Sequence, residues 1–337
     1  MYDGISGRLR HAKTGGPVAL YKLETKAKAG GCLSPHAVID VGSNTIHLLV
    51  GEVEGGAVLP VTGEKVSARL GSGVDETGRI EEARIPVATE AIILFARLAA
   101  LNGAPEPAVL ATSAVRDAEN GPDLCREVLG KAGLEVRLVS GDEEALLGFR
   151  GAVSALGPDF SWEAPALVVD LGGGSAQLIL GDGTDGPEKQ VSLPLGSNRT
   201  TERFTRHDPP EVGELEALSD AVIEVLPEWD LPEGTEVVAI GGSARAVLRL
   251  TKDRLTVERL RALAVEISQK PAAMLARKEG LAPERARVMP AAITTLAAIL
   301  ERFDRPRLTV ARGGIREGAI LTMAEEARNG KRPQVRL

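Results

Sequence analysis

The chain has 337 residues, 43% of them hydrophobic, with 47 acidic and 40 basic side chains and a formal net charge of −7. This length accommodates two domains with separate cores. The acidic balance excludes broad electrostatic binding of nucleic acid, which needs a basic face. The two cysteines form no CxxC pair, and no apolar run reaches the ~18 residues that cross a bilayer. We expect a cytoplasmic protein without nucleic-acid or membrane partners.

Strand-like and helical patterns alternate along most of the chain. Residues 1–35 lack periodicity, and we expect a flexible extension there. The predicted strands are 38–41, 47–53, 109–112, 136–139, 167–171, 177–181, 237–240 and 308–311. The predicted helices are 81–102, 122–132, 142–156, 211–228, 243–251, 256–267, 288–303 and 315–328. This alternation predicts an α/β fold with mixed or parallel sheets, and the Pro- and Gly-containing segment 151–166 suggests a passage between domains.

Two stretches repeat one pattern at an offset of 130 residues. Residues 38–51 and 168–181 share Val, Asp, Gly, Leu and Gly at the positions of Val38, Asp40, Gly42, Leu48 and Gly51. The same offset matches Thr45 with Ser175 and His47 with Gln177. The repeat predicts a duplicated strand–turn–strand unit. His47 is either a core histidine or a residue that faces a cleft.

Each copy of the repeat predicts a tight turn that can hold an anion. Glycine and small residues let backbone N–H groups point into such a turn. Side-chain hydroxyls and amides add donors, here Ser43, Asn44, Thr45 and Ser175. Asp40 and Asp170 end their strands within reach of a hard divalent cation. The alternative is that these residues only cap turns and satisfy backbone geometry, but two matching turns favour binding.

Two further stretches carry residue types suited to phosphate chemistry. Arg116 follows a strand that ends in small residues, so it either reaches a phosphate as a bidentate donor or forms a surface ion pair. Ser140 and Glu143 have capping-box spacing, which places Glu143 and Glu144 in the first turn of a helix. These carboxylates either complement the helix dipole or include a base that deprotonates water beside a metal.

Other glycine turns also follow predicted strands. One precedes Arg199, and another places Gly242 and Ser243 at a helix N-terminus, where an anion is favoured. A third contains Gly313 and Gly314. The sequence has no GxxxxGK[ST], which excludes a P-loop NTPase, and its four histidines do not have the spacing of zinc ligands.

Seven of these stretches resemble, in order, the motifs of the exopolyphosphatase/guanosine pentaphosphate phosphohydrolase (Ppx/GppA) family. They are DVGSNTIHLLV, RLGSGVD, ATSAVRDAEN, SGDEEALLGFRG, VVDLGGGSAQLIL, LPLGSNRTTERF and GGIREGAI. The resemblance implies the short type of the family, with two ribonuclease-H-like domains of the actin-like ATPase superfamily flanking a central cleft. The domains would be 36–163 and 164–325, with the last helix packing back on the first domain and a tail at 326–337.

The resemblance also implies an activity and a site. It implies metal-dependent hydrolysis of the terminal phosphate of inorganic polyphosphate, and of pppGpp to ppGpp, with Mg²⁺ or Mn²⁺, by a homodimer. The catalytic residues would be Glu144 as the base, Asp170 and Arg116. The metal ligands would be Asp40, Glu144, Asp170 and Gln177. The phosphate-binding set, including the turns above, is Gly42, Ser43, Asn44, Thr45, Gly172, Gly173, Gly174, Ser175, Arg199, Gly242 and Ser243.

One residue departs from the family pattern. The family usually has glutamate at the position of Gln177, and glutamine keeps a carbonyl acceptor but loses the charge, which should weaken one metal ligand. Two other hypotheses stay open, the first because of Gln177 and the second because of the superfamily. One is a sensor that binds polyphosphate or pppGpp with little or no catalysis. The other is a phosphotransferase like the sugar and acetate kinases.

Overall fold

The computed structural model describes residues 34–157, 160–183, 185–251 and 254–335. The extension predicted at residues 1–35 lies outside these ranges, apart from its last two residues. Two mixed β-sheets covered by helices make up the described chain, so the predicted α/β class is confirmed. Within these ranges, no helix is long and apolar enough to cross a membrane.

The first sheet has five strands in the order β3-β2-β1-β4-β5. They are β1 (His36–Val41), β2 (Thr45–Glu54), β3 (Ala57–Ser67), β4 (Ala108–Ala111) and β5 (Val136–Leu138). The first three form an antiparallel meander, and β4 and β5 run parallel to β1. The helices of this half are α1 (Val74–Thr77), α2 (Arg84–Leu101), α3 (Ser113–Asp117) and α4 (Gly121–Ala132). Helix α2 buries Ile85, Ile92 and Phe95 in the core beside this sheet.

The second sheet repeats this topology, in the order β10-β11-β9-β6-β7-β8. Its strands are β6 (Ala166–Leu171), β7 (Ala176–Asp182), β8 (Gly186–Leu193), β9 (Val237–Ile240), β10 (Leu255–Thr256) and β11 (Arg307–Val310). Six helices belong to this half: α6 (Ser197–Phe204), α7 (Val212–Val225), α8 (Gly241–Thr251), α9 (Val257–Ile267), α10 (Ala272–Glu279) and α11 (Pro283–Arg302). Helix α11 lies at the centre of the largest hydrophobic core.

The duplicated hairpins match in register as well as in sequence. Asp40 lies opposite His47 on β1 and β2, and Asp170 lies opposite Gln177 on β6 and β7. The second strand of each hairpin also has a register shift in its pairing with the next strand, at Gly51 of β2 against β3 and at Gly181 of β7 against β8. These two shifts are again 130 residues apart, so the offset seen in the sequence is the structural offset between the hairpins.

The remaining two helices cross between the halves. Helix α5 (Gly141–Leu156) follows the first sheet in the chain but packs on β7 and β8 of the second. Helix α12 (Ile315–Arg328) ends the described elements and packs on β1 and β2. There Ile320 and Met323 join a core with Val38 and Leu49. The two helices pack against each other, and they position the ends of both sheets at a shared cleft. The sequence-based domain division at residue 163 stays a prediction.

Candidate active site

Each hairpin ends in a turn that leaves backbone donors free. The Gly42 N–H donates to the Thr45 carbonyl at 3.1 Å, and the Gly172 N–H donates to the Ser175 carbonyl at 3.0 Å. Between these closing bonds, four amides donate to no group in the described part of the chain: Ser43, Asn44, Gly173 and Gly174. Free, convergent N–H groups of this kind form an anion-binding concavity.

The two turns lie directly against each other. A Cβ built on Gly174 would lie 2.4 Å from Ser113 Oγ and 2.8 Å from Ser43 Oγ. The Asn44 and Asn198 amides exchange hydrogen bonds of 2.8 and 2.7 Å between the two halves of the molecule. A side chain at position 174 would therefore displace the Ser113 and Ser43 hydroxyls, which favours glycine there.

Asp40 and Asp170 face the same cleft from the two sheets. Burial raises the pKa of each carboxyl to about 6, and the charge of Asp170 raises the pKa of Asp40 further. Arg316 lowers the pKa of Asp40, and Arg245 lowers that of Asp170. Among the described residues, none donates a hydrogen bond to either carboxylate. The aspartates thus form a pair of partly compensated negative charges.

Glu144 lies in the first turn of α5 and points into this cleft. Ser140 caps the helix, and Glu143 completes the capping box, since the Ser140 N–H donates to Glu143 Oε2 at 2.9 Å and the Glu143 N–H donates to Ser140 Oγ at 3.1 Å. Glu144 is only 8% exposed. Burial, and then the charge of Asp170, raises its pKa to about 8, and Arg116 opposes the shift. The two neighbouring glutamates therefore occupy different environments.

The acidic groups of the cleft fit a hard divalent cation. Among the described residues, no group of three or more His, Cys, Asp or Glu side chains is arranged to hold a metal ion. However, Mg²⁺ commonly uses only one or two carboxylates and completes its shell with water and substrate phosphates. Asp40 and Asp170 supply such a pair without competing hydrogen bonds. Glu317 adds a third carboxylate, whose buried Oε2 has no hydrogen-bond partner in the described chain.

The predicted arginines contact carboxylates. Arg116 Nη1 donates to the Val139 carbonyl at 2.7 Å and lies 3.4 Å from Glu144 Oε2. Its Nε lies 3.3 Å from Asp117, which is the ion pair foreseen as its alternative. Arg199 lies at the interface of the two halves, 2.9 Å from Asp117 and 3.2 Å from Asp75. Both guanidinium groups therefore border the turns but are already paired.

Gly242 and Ser243 lie behind the second turn. The Ser243 hydroxyl accepts from Arg285 Nη1 at 3.0 Å and donates to Ser197 Oγ at 3.2 Å, so it is already engaged. A Cβ on Gly242 would lie 2.9 Å from Arg285.

Gln177 is almost fully buried, and its amide nitrogen donates at 2.9 Å to each of two hydroxyls, Ser175 Oγ and Ser192 Oγ.

Several side chains of the cleft were not predicted from the sequence: Ser113, Asn198, Arg245, Arg285, Arg316 and Glu317. Arg316 and Glu317 lie in the first turn of α12, just after Gly313 and Gly314, so the glycine turn noted in the sequence was a usable signal for them. Ser113 follows the end of β4 as Ser43 follows the end of β1, and Asn198 follows the glycine turn at Gly196. For Arg245 and Arg285 we find no local signal, because helix packing brings them to the cleft.

The chain is similar to known proteins. A model of the Ppx/GppA phosphatase family matches residues 49–327. Exopolyphosphatase 1 of Mycobacterium tuberculosis is 32% identical over 311 residues, covering 87% of this chain and 89% of that protein. The guanosine-5'-triphosphate,3'-diphosphate pyrophosphatase of Photobacterium profundum is 27% identical, covering 88% of this chain and 61% of that protein.

Solved structures agree with the sequence relatives. The crystal structure of an exopolyphosphatase-like protein has a TM-score of 0.78 and 27% identity, covering 86% of this chain and 97% of that one. That of an exopolyphosphatase from Cytophaga hutchinsonii has a TM-score of 0.77 and 23% identity, covering 89% and 99%. The chain therefore belongs to the Ppx/GppA phosphatase family and has its two-domain, actin-like ATPase fold.

Proposed function

We propose that the protein is an exopolyphosphatase, which hydrolyses the terminal phosphate of inorganic polyphosphate. The observation that carries this proposal is the pair of facing turns with four free amides, next to one buried carboxyl group, Glu144. A terminal phosphoryl group bound beside the paired turns would have donors from both of them and a base within the same cleft. The exopolyphosphatases among the sequence relatives support the assignment.

The proposed reaction is in-line attack of water on the terminal phosphorus. Glu144 orients the water and accepts its proton at a carboxylate oxygen, while the bond from phosphorus to the bridging oxygen breaks. Orthophosphate leaves, and the chain is one phosphate shorter. The amides of Ser43, Asn44, Gly173 and Gly174 hold the non-bridging oxygens, because positioning and electrostatics supply most of the acceleration in phosphoryl transfer. Arg116 lies next to Glu144, and its positive charge opposes protonation of the carboxylate.

We propose that Asp40, Asp170 and Glu144 hold Mg²⁺ or Mn²⁺, with the Gln177 carbonyl as a weaker ligand. When bound, the cation neutralises charge on the phosphoryl oxygens. In this arrangement a cation would also lower the raised pKa of Glu144, so that the carboxylate is available as a base near neutral pH.

Hydrolysis of pppGpp to ppGpp is the second activity that we propose. Its 5′ end presents the same chain of phosphates, and the Photobacterium profundum relative is named for this substrate. We further propose that the protein acts in the cytoplasm as a homodimer, without nucleic-acid or membrane partners. The net charge of −7 supports the absence of nucleic acid among these partners.

The experiment compares orthophosphate release from long-chain polyphosphate, pppGpp and ATP, each with Mg²⁺, with Mn²⁺ and with chelator. We expect cation-dependent release from polyphosphate, with ATP the poorest substrate. Binding of polyphosphate without release would indicate a sensor. ATP-dependent phosphorylation of a small acceptor, with no release from polyphosphate, would indicate a kinase. Either result would overturn the proposal.

A further inference from the structure

Each hairpin contains an equivalent hydrogen bond between two of its side chains. On β2, His47 Nε2 lies 2.6 Å from Thr45 Oγ1. On β7, Gln177 Nε2 donates to Ser175 Oγ at 2.9 Å. Both bonds join residues two positions apart, and they occur at equivalent places of the 130-residue repeat. The donors differ in type, imidazole and amide, but the hydroxyl is held from the same side in both hairpins.

The direction of the bond at His47 follows from its second partner. Arg316 Nη1 lies 3.1 Å from His47 Nδ1. A guanidinium group only donates, so Nδ1 must be the accepting nitrogen, and the proton of the neutral ring is on Nε2. Burial, and then the charge of Arg316, lowers the pKa of His47 well below its ordinary value, which keeps the ring neutral. His47 therefore donates to Thr45, and the Thr45 hydroxyl proton is left for another acceptor.

The direction of the bond at Gln177 follows from the position of its two amide hydrogens. Both amide hydrogens are used, one by Ser175 Oγ and one by Ser192 Oγ. Ser175 Oγ is thus an acceptor on this side, as Thr45 Oγ1 is in the other hairpin. Within the described chain, neither hydroxyl donates its own proton to any group. A carboxylate at position 177 would have the opposite effect, because it would take the Ser175 proton.

Space for a ligand lies beside each hydroxyl. Positions 40, 42, 45 and 47 share one face of the first hairpin, because they alternate along paired strands. Gly42 and Gly172 lie opposite the hydroxyl residues and have no side chain. A Cβ built on either would meet only the carbonyl of Thr45 at 3.3 Å or of Ser175 at 3.1 Å. Each hydroxyl thus borders open space next to an aspartate of the cleft.

We propose that His47 and Gln177 are positioning residues, which fix the Thr45 and Ser175 hydroxyls as hydrogen-bond donors to the oxygens of the phosphate chain. This inference rests on the proposed function. Because the neighbouring side chain donates to each hydroxyl oxygen, the single hydroxyl proton is left to be donated to an anionic oxygen. The two hairpins would therefore contribute one oriented hydroxyl each to the phosphate, while the carboxylates contribute to cation binding.

Two double-mutant cycles test the proposal by steady-state hydrolysis of tripolyphosphate. The first combines His47→Phe with Thr45→Val, and the second combines Gln177→Leu with Ser175→Ala. Each hydroxyl deletion should raise KM roughly tenfold, as loss of a hydrogen bond to a charged group does, with kcat little changed. Within a hairpin, the positioning variant should add nothing once the hydroxyl is absent, when the rates are measured at saturating Mg²⁺ so that loss of the weaker Gln177 carbonyl ligand has no effect of its own. The cross-hairpin pair His47→Phe with Ser175→Ala is the matched control and should be additive.

Additive effects within both hairpins, or a kcat loss without a KM change, would overturn the proposal. A readout without catalysis is the long-range ¹H–¹⁵N NMR spectrum of the histidine rings, assigned with His47→Gln. We expect the neutral Nε2–H tautomer of His47 in the full-length protein. The Nδ1–H tautomer or an imidazolium would overturn the inference even in an active enzyme. Absence of orthophosphate release together with an Nε2–H ring would instead reject only the proposed function.

Discussion

Two adjacent carboxyl groups in one helical turn differ in what surrounds them. Glu143 bonds the backbone of Ser140 and pairs with Arg137 at the surface. Glu144 is buried beside Arg116 and Asp170, and its pKa of about 8 means that the neutral form dominates in the protein alone at neutral pH. Residue types and spacing alone left a capping and a catalytic role open at these positions, and only the family resemblance assigned the base to Glu144.

Glu144→Gln should lower kcat by roughly 10²–10⁴, as loss of a general base does, with KM little altered. The amide resembles the neutral acid in shape, so the variant should fold normally. Steady-state release of orthophosphate from polyphosphate measures the effect. Glu143→Gln is the control and should retain activity within about threefold, because an amide at N3 still completes the capping box. A near-normal rate for Glu144→Gln would disprove the assignment.

Stability should depend on pH with an unusual sign. The folded pKa values of Asp40, Asp170 and Glu144, about 6, 6 and 8, exceed the ordinary 3.8, 3.8 and 4.5. Between about pH 4 and pH 8 the folded protein therefore binds more protons than the unfolded chain at these groups, and their contribution to the free energy of unfolding falls as pH rises.

Thermal unfolding in chelator at about pH 5.5 and about pH 8.5 checks this expectation. Tm should be lower at the higher pH, by roughly 2–4 °C for each kcal/mol lost. Mg²⁺ or Mn²⁺ at the higher pH should restore it by binding the folded state. Asp40→Asn should flatten the pH dependence, whereas Glu143→Gln should leave it. A Tm that responds neither to pH nor to the cation would refute this prediction.

At the scale of elements, glycines let α5 cross the start of α12 at backbone contact. A Cβ on Gly151 would lie 2.0 Å from the Gly314 carbonyl oxygen, and one on Gly313 would lie 1.7 Å from the Gly151 carbonyl oxygen. A Cβ on Gly318 would lie 1.9 Å from the Leu147 carbonyl oxygen. Such distances involve backbone atoms on both sides, so no side-chain rotation relieves them.

Gly151→Ala should therefore destabilise the protein by about 1–3 kcal/mol or more, as overpacking does. Gly130→Ala is the matched control, since Gly130 lies in α4 with nothing within 4 Å of its Cβ position. The control should be neutral or gain up to about 1 kcal/mol from helix propensity. Denaturant unfolding of both variants measures the difference. Equal stability of the two would show that α5 and α12 adjust freely.

Most elements of the fold follow from sequence patterns, and the exceptions have physical reasons. The predicted helix 315–328 has the same bounds as α12, and the repeat predicts both hairpins. Strands β3 and β8 were not predicted, because they lie at or near sheet edges and their many exposed residues break the alternation. Helix α11 begins at Pro283 and not at the predicted 288, since Pro at N1 starts a helix that is then buried almost throughout.

At the scale of the whole molecule, polar and charged groups of the two halves pair with each other in both directions. Asp75 binds Arg203, with Nη2 at 2.7 Å, and lies 3.2 Å from Arg199. The Gly73 N–H donates to Glu202 at 3.3 Å, and Arg69 lies 3.5 Å from Glu284. If Arg199 binds phosphate as we predict, an entering polyanion would compete with Asp75 for its guanidinium group.

Asp75→Asn should weaken the contact between the two halves and free Arg199 for the substrate. KM for polyphosphate should then fall by up to about fivefold, since partly exposed ion pairs contribute about 0.2–1 kcal/mol. Asp123→Asn, which removes an ion pair with Arg126 within α4, should leave KM unchanged. Small-angle scattering should give a larger radius of gyration for Asp75→Asn without substrate. Unaltered KM and radius together would contradict the competition.

The crossing of the last helix also fixes an order of events during synthesis. Ile320 and Met323 of α12 fill the core against Val38 and Leu49 near the start of the described chain. A ribosome releases these residues after every strand of both sheets, so the half made first is completed last, in contrast to the usual N-terminal-first order. Until then β1 and β2 expose an apolar face, to which we expect nascent-chain chaperones to bind.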